Sequence, residues 1–277
     1  MVLLRRNTAT AARRSPLQKL EWSVPKITEE TDKLYDRIVA KSGHDKLTLT
    51  REKIIEARGW QPSLYLTKDN FGRSLTELGC FYVPKVMQPG PAFVFPIIDI
   101  DRTCQYAQTK PLEGSVLGGR SKYRFIGSDP VGPTWLGNTD EAIKAVVSTG
   151  QVVLVEGPFD LLACRVLAPE VPVMSPLTKR LGKGHQAYLR MLGLRRIYLM
   201  FDNELPSARH NMGAGNLAMK HYSKELSRYF DVRTLLCPSS DPSEALKNGY
   251  TAERLRSILL NTMRSCEKSL VEAQPAC

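Results

Sequence analysis

The chain has 277 residues, enough for one large domain or two of ordinary size, each with its own core. Its 42% apolar and 24% charged content is that of a globular protein, and no window approaches the ~18 consecutive apolar residues of a membrane-spanning helix, so such a helix is excluded. Lys and Arg number 39 against 28 Asp and Glu, and the resulting net charge of +11 favours a polyanionic partner such as nucleic acid or nucleotide.

The first 25 residues carry Arg5, Arg6, Arg13, Arg14 and Lys19 and no acid before Glu21. Two readings fit: a flexible basic arm that touches nucleic acid, and an Arg-rich, acid-poor organellar transit peptide. From Thr28 to about Arg58 the pattern is helical. Thr28 can cap a segment running to Ile38, and Thr50 a second, Arg51 to Arg58, stopped by Gly59. Pro, Gly and Asn breaks between Gly59 and Met87 predict small helices and loops. The apolar run Ala92 to Ile98 predicts a strand, with Pro96 marking an edge or a bulge. Further strands and turns are expected from Asp99 to Gly119. Gly118-Gly119-Arg120-Ser121-Lys122-Tyr123 then sets two cations and an aromatic beside paired glycines. That arrangement suits close approach to phosphates, and equally a flexible basic turn.

Beyond Asp140 to Val147, a short helix, the alternation becomes regular. Val152 to Val155 is short, rich in β-branched residues and bounded by Gly150 and Gly157, the pattern of a buried strand, and Phe159 to Leu167 has apolar residues at helical spacing. Strands are expected at Val171 to Met174, Arg196 to Phe201 and Val232 to Cys237, and helices at Lys183 to Leu192 and Met212 to Tyr229. Strand and helix alternating at this spacing means βαβ units and a mainly parallel sheet covered by helices on both faces. Thr251 to Leu270 reads as an amphipathic helix that docks on the sheet or offers a partner surface.

Three of the expected parallel strands lead into acids. The first ends in Glu156, with Asp160 one helical turn on; the second ends in Asp202-Asn203-Glu204; the third leads through Pro238 to Asp241-Pro242-Ser243-Glu244. In a parallel sheet these groups share the carboxyl edge, where ligands bind. One such acid can simply cap a helix, but three converging groups repel one another unless a cation neutralises them. A hard divalent ion, Mg²⁺ or Mn²⁺, takes such oxygen ligands together with waters and phosphates, and the chemistry it suits is phosphoryl or nucleotidyl transfer. Lys179, Arg180, Lys183 and His185 cluster in the loop after the expected strand Val171 to Met174, at the same edge, either touching nucleotide phosphates or forming a solvated basic loop.

The six cysteines form no CxxC pair and no Cys/His cluster, so no zinc is expected. Cys164 and Cys237 fall in apolar elements and are expected as buried free thiols, which favours a reducing compartment. His44, His210 and His221 have no partner at ligand spacing, and Trp60 and Trp135 are expected to pack in the core.

Val-Glu-Gly-Pro-Phe-Asp, then Phe-Asp-Asn-Glu, then Asp-Pro-Ser-Glu resembles the Toprim domain shared by topoisomerases and bacterial-type primases, most closely the catalytic core of DnaG-type and phage primases. Upstream, Phe95-Pro96-Ile97-Ile98-Asp99 with Gly119-Arg120 and Lys122-Tyr123 is similar to the strand and basic motif that precede Toprim in primases. The resemblance spans about Ala92 to Leu246. It implies an α/β fold with a Toprim-type parallel sheet flanked by helices and a smaller α+β N-terminal subdomain. The expected divisions are a basic arm (1–25), a primase-like subdomain (26–148), the Toprim domain (149–246) and a helical tail (247–277).

Carried onto this chain, the resemblance makes Glu156 a general acid/base or metal-proximal carboxylate. Asp202 and Glu204 become metal-holding residues, supported by Asp160 and Asp241, and Arg120 and Lys122 phosphate-binding groups. Glu204 stands where the family has Asp, Ser243 stands where it has a third acid, and Leu205 to Met212 lengthens the loop between. The implied activity is that of a metal-dependent DNA primase, a nucleotidyltransferase making short RNA primers on single-stranded DNA during replication. The alternatives are a Toprim nuclease and a non-catalytic DNA-binding Toprim module of a replication or recombination complex. Expected partners are single-stranded DNA, ribonucleotides, and a replicative helicase or a separate zinc-module subunit, with no membrane. The setting implied is the cytoplasm of a bacterial or phage-infected cell.

Overall fold

The computed structural model describes residues 46–61, 66–86, 90–98, 104–111, 124–127, 135–137, 140–178, 180–204 and 213–272. The basic arm, the expected helix from Thr28 to Ile38, the stretch Gly118 to Tyr123 with Arg120 and Lys122, Lys179, and the loop 205–212 lie outside them. The described elements form two four-stranded sheets. The first is antiparallel, in the order β1 (Phe81–Val86), β2 (Gly90–Ile98), β3 (Cys104–Pro111), β4 (Arg124–Gly127). The second comprises β5 (Gln151–Val155), β6 (Val173–Met174), β7 (Arg196–Met200) and β8 (Asp231–Thr234), ordered β6-β5-β7-β8 with every neighbouring pair parallel.

Side chains alternate across the parallel sheet with the period of two that a pleated strand imposes. Val152, Leu154, Ile197 and Leu199 join one core with Ile143 and Val146 of α3 (Asp140–Thr149), Tyr188 and Leu189 of α5 (Lys183–Met191), and Met219 and Leu226 of α6 (Ala214–Leu226). Val153, Val155, Tyr198 and Met200 face the other way, onto α4 (Pro158–Leu167) and α8 (Gly249–Glu272). Helix α4 is buried at every position because it lies between the two sheets. Its Phe159 ring meets Phe93 at 5.5 Å and Phe95 at 5.2 Å, both edge-on, so β2 closes over the start of the helix.

The helices α1 (Lys46–Arg58) and α2 (Lys68–Leu78) complete the layer around β1 and β2 through Ile54, Phe71 and Leu75. Polar contacts as well as the apolar core tie this layer to the parallel-sheet half. Arg165 of α4, 4% exposed, pairs with Glu77 of α2. Gln61 donates its backbone N–H to the Leu246 carbonyl at 2.9 Å, just after α7 (Pro242–Ala245).

Local differences from the sequence reading have physical causes. Helix α1 begins four residues before Thr50, and the Thr50 hydroxyl does not cap it. Buried at 1% exposure, it accepts from the Tyr82 N–H at 2.9 Å and so joins α1 to β1. Strand β1 is hidden in the sequence by Pro84, which reads as a break. Strand β2 is not an edge strand, since it pairs with β1 and β3; Pro96 lies just past the end of the β1 pairing, which stops at Phe81↔Val94, and just before a register shift at Ile97/Ile98, so of the two expected features the irregularity is the one found beside it. The boundary at 148/149 falls inside the last turn of α3, a helix whose apolar face packs on the parallel sheet. The C-terminal helix docks: Ala252, Leu255 and Leu259 of α8 are buried.

Candidate active site

The first acidic group is a strand-to-helix turn. Gly157 is the N-cap of α4, Pro158 opens the helix with no N–H to lose, and the Asp160 side chain accepts from the Gly157 N–H at 3.0 Å through Oδ2. Glu156 sits half-buried at the end of β5. Its carbonyl is held by the Ser175 hydroxyl at 2.8 Å, and that hydroxyl accepts from the N–H of Leu177, which has φ of 59°. Two successive parallel strands are therefore fastened at their carboxyl ends, and the Glu156 backbone is fixed by the fastening.

The second group follows β7. Asp202, Asn203 and Glu204 are each half-buried. Glu204 Oε2 accepts from the Gly215 N–H at 3.1 Å, and Asn216 Nδ2 donates to Asn203 Oδ1 and to the Glu204 carbonyl, each at 3.2 Å. The chain returns so close that a Cβ on Gly213 or Gly215 would lie 2.1 Å from the carbonyl oxygen of Glu204 or Asp202. Only glycine permits this approach, and it lets the first turn of α6 clamp the acids.

The third group caps α7. Asp241 Oδ1 accepts from the Glu244 N–H at 2.6 Å, and Ser240 places its carbonyl on the Asn203 N–H at 2.5 Å. Asp160 receives a second amide here, the Ser243 N–H on Oδ1 at 3.3 Å. Burial, then the charges of Asp241 and Asp202, push the Asp160 carboxyl well above the usual carboxylate range, against the two backbone N–H groups that hold it down. Asp160, Asp202 and Asp241 thus act on one another electrostatically: the three strand-end groups converge as parallel topology requires.

The donor set is hard oxygen, which fits Mg²⁺ or Mn²⁺. Among the described residues, however, no three His, Cys, Asp or Glu side chains are gathered into one metal-holding group. Asp160 spends both oxygens on amides, and Glu204 and Asp241 each spend at least one. Such a site fits an ion held by one or two carboxylates with waters and substrate phosphates completing the shell, as Mg²⁺ prefers, rather than an all-protein cage.

Arg180 and Lys183 are exposed in the loop after β6 and at the start of α5. His185 packs edge-on against the buried Trp135 ring at 5.2 Å. Cys80, Cys164 and Cys237 are buried free thiols, and burial pushes Cys237 up to about 12. His221 is exposed beside Glu225.

One constellation has no counterpart in the reading of the sequence. Ser243, fully buried, accepts from Arg58 Nε at 3.0 Å, Arg58 Nη2 at 2.8 Å and the Trp60 indole N–H at 3.2 Å. The Arg58 guanidinium also lies 4.9 Å from the centre of the Phe159 ring. A basic residue from the antiparallel half thus reaches α7 at Ser243, where the resemblance led to the expectation of an acid. A serine replacing an acid was the signal: something else had to account for the altered charge there.

No family model and no curated protein sequence matches the chain. Solved structures do. The RNA polymerase domain of Mycobacterium tuberculosis primase DnaG, in complex with a double-stranded DNA oligomer with a 6-nucleotide overhang, matches with a TM-score of 0.58 and 14% identity over 82% of this chain and 78% of that one. A DnaG primase catalytic domain bound to single-stranded DNA gives 0.56 and 14% over 84% and 80%. The zinc-binding and RNA polymerase domains of the Aquifex aeolicus primase give 0.55 and 20% over 85% of this chain and 62% of that one. The chain shares the fold of the DnaG-type primase catalytic core: a helix-flanked parallel sheet joined to a smaller antiparallel one.

Proposed function

We propose that this chain is a primase-type nucleotidyltransferase that makes short RNA primers on single-stranded DNA with Mg²⁺ or Mn²⁺. The observation that supports the reading is that Asp202 and Asp241 act on Asp160 at the carboxyl edge of a sheet with the primase-core fold, the edge whose strands also lead into Glu156 and Glu204. When bound, the divalent ion supplies polarisation of the α-phosphate and activation of the attacking 3′-hydroxyl. Glu156 and Asp202 would hold it, and Glu156 would also accept the proton of the attacking hydroxyl. Glu204, bound to the first turn of α6, and Asp241, bound to that of α7, keep their backbones in place and lend further negative charge. Asp160 is the joint: it fixes Gly157 and the loop before α7 together, so Glu156 keeps its position relative to Asp241.

Arg120, Lys122 and Lys179, with the exposed Arg180 and Lys183, contribute phosphate contacts along template and nucleotide. The net charge of +11 supports a strongly salt-dependent hold on single-stranded DNA. DNA-bound neighbours of the same fold support the template reading. A replicative helicase and a separate zinc-binding subunit are the partners this activity calls for, inside a bacterial or phage-infected cell. Among the described residues no helix is long and apolar enough to cross a membrane.

The test is incubation with single-stranded DNA, labelled ribonucleotides and Mg²⁺ or Mn²⁺. Short RNA products that disappear in Glu156→Ala support the proposal. Cleaved DNA in their place would assign the site to a Toprim nuclease. DNA binding with neither product, unchanged by Glu156→Ala, would make the chain a non-catalytic module.

A further inference from the structure

We infer that Arg58 is the built-in cation of the acidic edge and binds the phosphates of an incoming nucleoside triphosphate there, seated by Ser243. The inference rests on the nucleotide-handling function proposed above and adds to it a binding residue from outside the Toprim half.

The placement begins with the backbone. Helix α1 ends at Arg58 because Gly59 takes φ of 62°, with the Gly59 N–H on the Glu56 carbonyl at 3.3 Å and the Trp60 N–H on that of Ile55 at 3.1 Å. The reversal drives the Trp60 ring into the core at 2% exposure and leaves Arg58, half-buried, pointing across to α7. There the guanidinium is held on two sides. Nε and Nη2 both donate to Ser243 Oγ, and the Phe159 ring lies under the plane.

The chemistry of the seat is one-sided. A hydroxyl oxygen has two lone pairs, and Ser243 Oγ already receives three donors, Trp60 Nε1 included. Buried and saturated, it cannot ligate a metal ion. Arg58 presents five N–H donors, and Ser243 takes two; the remaining three have no partner among the described residues. A guanidinium immobilised by part of its fork, with the rest lacking a partner among the described residues, suits bidentate contact with a phosphate.

The charge balance gives this contact a purpose. The Ser243 N–H lies on Asp160, and Asp160 feels both Asp202 and Asp241, so Ser243 joins the guanidinium through its hydroxyl to this acidic group through its N–H. A triphosphate approaching that edge meets repulsion that one divalent ion held by one or two carboxylates only partly offsets. A fixed cation offsets more of it, at no cost in reordering a long side chain.

Binding of ATP, with adenosine as the phosphate-free control, tests this by calorimetry without template or turnover, in EDTA and again with Mg²⁺. Wild-type protein binds ATP more tightly than adenosine. Arg58→Met weakens ATP about 10-fold or more in both media and leaves adenosine unchanged, the scale expected for lost charge-assisted hydrogen bonds. Arg58→Lys retains part of the affinity, and Ser243→Ala, which keeps the charge but frees the head, loses about 3-fold. Thermal melting of each variant accompanies the titrations. Unchanged ATP affinity in Arg58→Met overturns the inference, whatever happens to the melting temperature, as does an equal loss for ATP and adenosine, which would make Arg58 a purely structural bolt. If Arg58→Met does not fold, unchanged ATP affinity in both Arg58→Lys and Ser243→Ala overturns it equally. Wild-type protein that does not prefer ATP to adenosine also overturns it. Failure of the proposed function itself shows elsewhere, as absent RNA product.

Discussion

The Ser243 N–H donates to Asp160 Oδ1 at 3.3 Å across 83 residues of sequence, while Asp160 Oδ2 accepts from the Gly157 N–H at 3.0 Å. One buried carboxylate therefore joins the short helix after β8 to the turn after β5, two of the three acidic groups of this edge. Asp160→Ala leaves two amides without acceptors, one of them buried. The expected cost is about 2 kcal/mol, a fall of several degrees in melting temperature for a chain of this size. Asp160→Asn keeps the shape but offers only one acceptor, and should fall between. Both are read by differential scanning calorimetry. A melting temperature unchanged in Asp160→Ala would mean that the carboxylate joins nothing.

If one or two carboxylates of this edge hold a divalent ion, that ion stabilises the folded state by mass action. Mn²⁺ at 100 times its Kd adds about 2.7 kcal/mol by linkage. The expected outcome is a rise in melting temperature with Mn²⁺ that Asp202→Asn removes and Lys183→Ala, at the exposed start of α5, does not. A shift that persists in Asp202→Asn and in Glu156→Gln would place the ion elsewhere.

The acidic edge was legible because it is written locally. The run Val152 to Val155 flanked by glycines, the Glu156–Asp160 turn and the acids after Phe201 are contiguous motifs, and regular alternation of strands and helices brings their ends together without further information. What escaped is written at long range. The Arg58–Ser243 contact spans 185 residues, and the Thr50–Tyr82 contact makes a helix-capping residue into a bolt between elements. Periodicity reports which face of an element is buried, not which element covers it. Strand β1 escaped for another reason: Pro84 falls in the register shift between Val83 and Val86, and the strand still pairs with β2 through Phe81, Tyr82, Val83 and Val86.

Two glycines in helices should respond in opposite directions. A Cβ on Gly215 meets the Asp202 carbonyl oxygen at 2.1 Å, so Gly215→Ala must push α6 or the Asp202 backbone aside. An overpacking cost of about 1–3 kcal/mol is expected, together with loss of any activity that uses Asp202. A Cβ on Gly72 in α2 would meet nothing within 4 Å, and Gly72→Ala should stabilise the helix by about 0.5–1 kcal/mol. Thermal melts of the two variants, with primer synthesis measured alongside, check both signs.

At the other edge of the sheet, Asp231 accepts from Arg196 Nε at 2.7 Å and Arg233 Nε at 2.9 Å. Desolvation pushes its carboxyl up, but the hydrogen bond and charge of Arg196, aided by Arg233, outweigh it and the net shift is downward. A carboxyl with a depressed folded pKa contributes stability above its unfolded value, near 3.9, and loses it as pH falls through the folded value. The side chain is 38% exposed, so solvent screening limits the contribution to roughly 1 kcal/mol or less. Asp231→Asn should lose that amount at pH 7, and wild type and variant should converge once the pH falls below the depressed folded value. A constant difference from pH 7 to pH 2 would assign the effect to packing.

The ion pair between Arg165 and Glu77 should behave very differently, because its side chains are only 5% and 12% exposed. Burial first, and the nearby Arg73 charge second, lower the Arg165 guanidinium to about 10, a sign that its charge is poorly solvated. Glu77 is also bonded by Arg73 Nε at 2.8 Å, so one carboxylate serves two cations, one of them inside the core between α2 and α4. Removing the acid strands the buried cation. Glu77→Ala is expected to cost about 3–5 kcal/mol, far more than any exposed pair in the molecule. The paired replacement Glu77→Leu with Arg165→Met leaves no charge in the gap and should recover most of that loss, since apolar side chains of similar volume can replace a buried ion pair at little or no cost. Urea denaturation of the two single variants and the double variant gives the coupling directly. If Glu77→Ala costs less than about 1 kcal/mol, the usual ceiling for exposed pairs, the two helices are held by their apolar contacts alone and the pair is incidental.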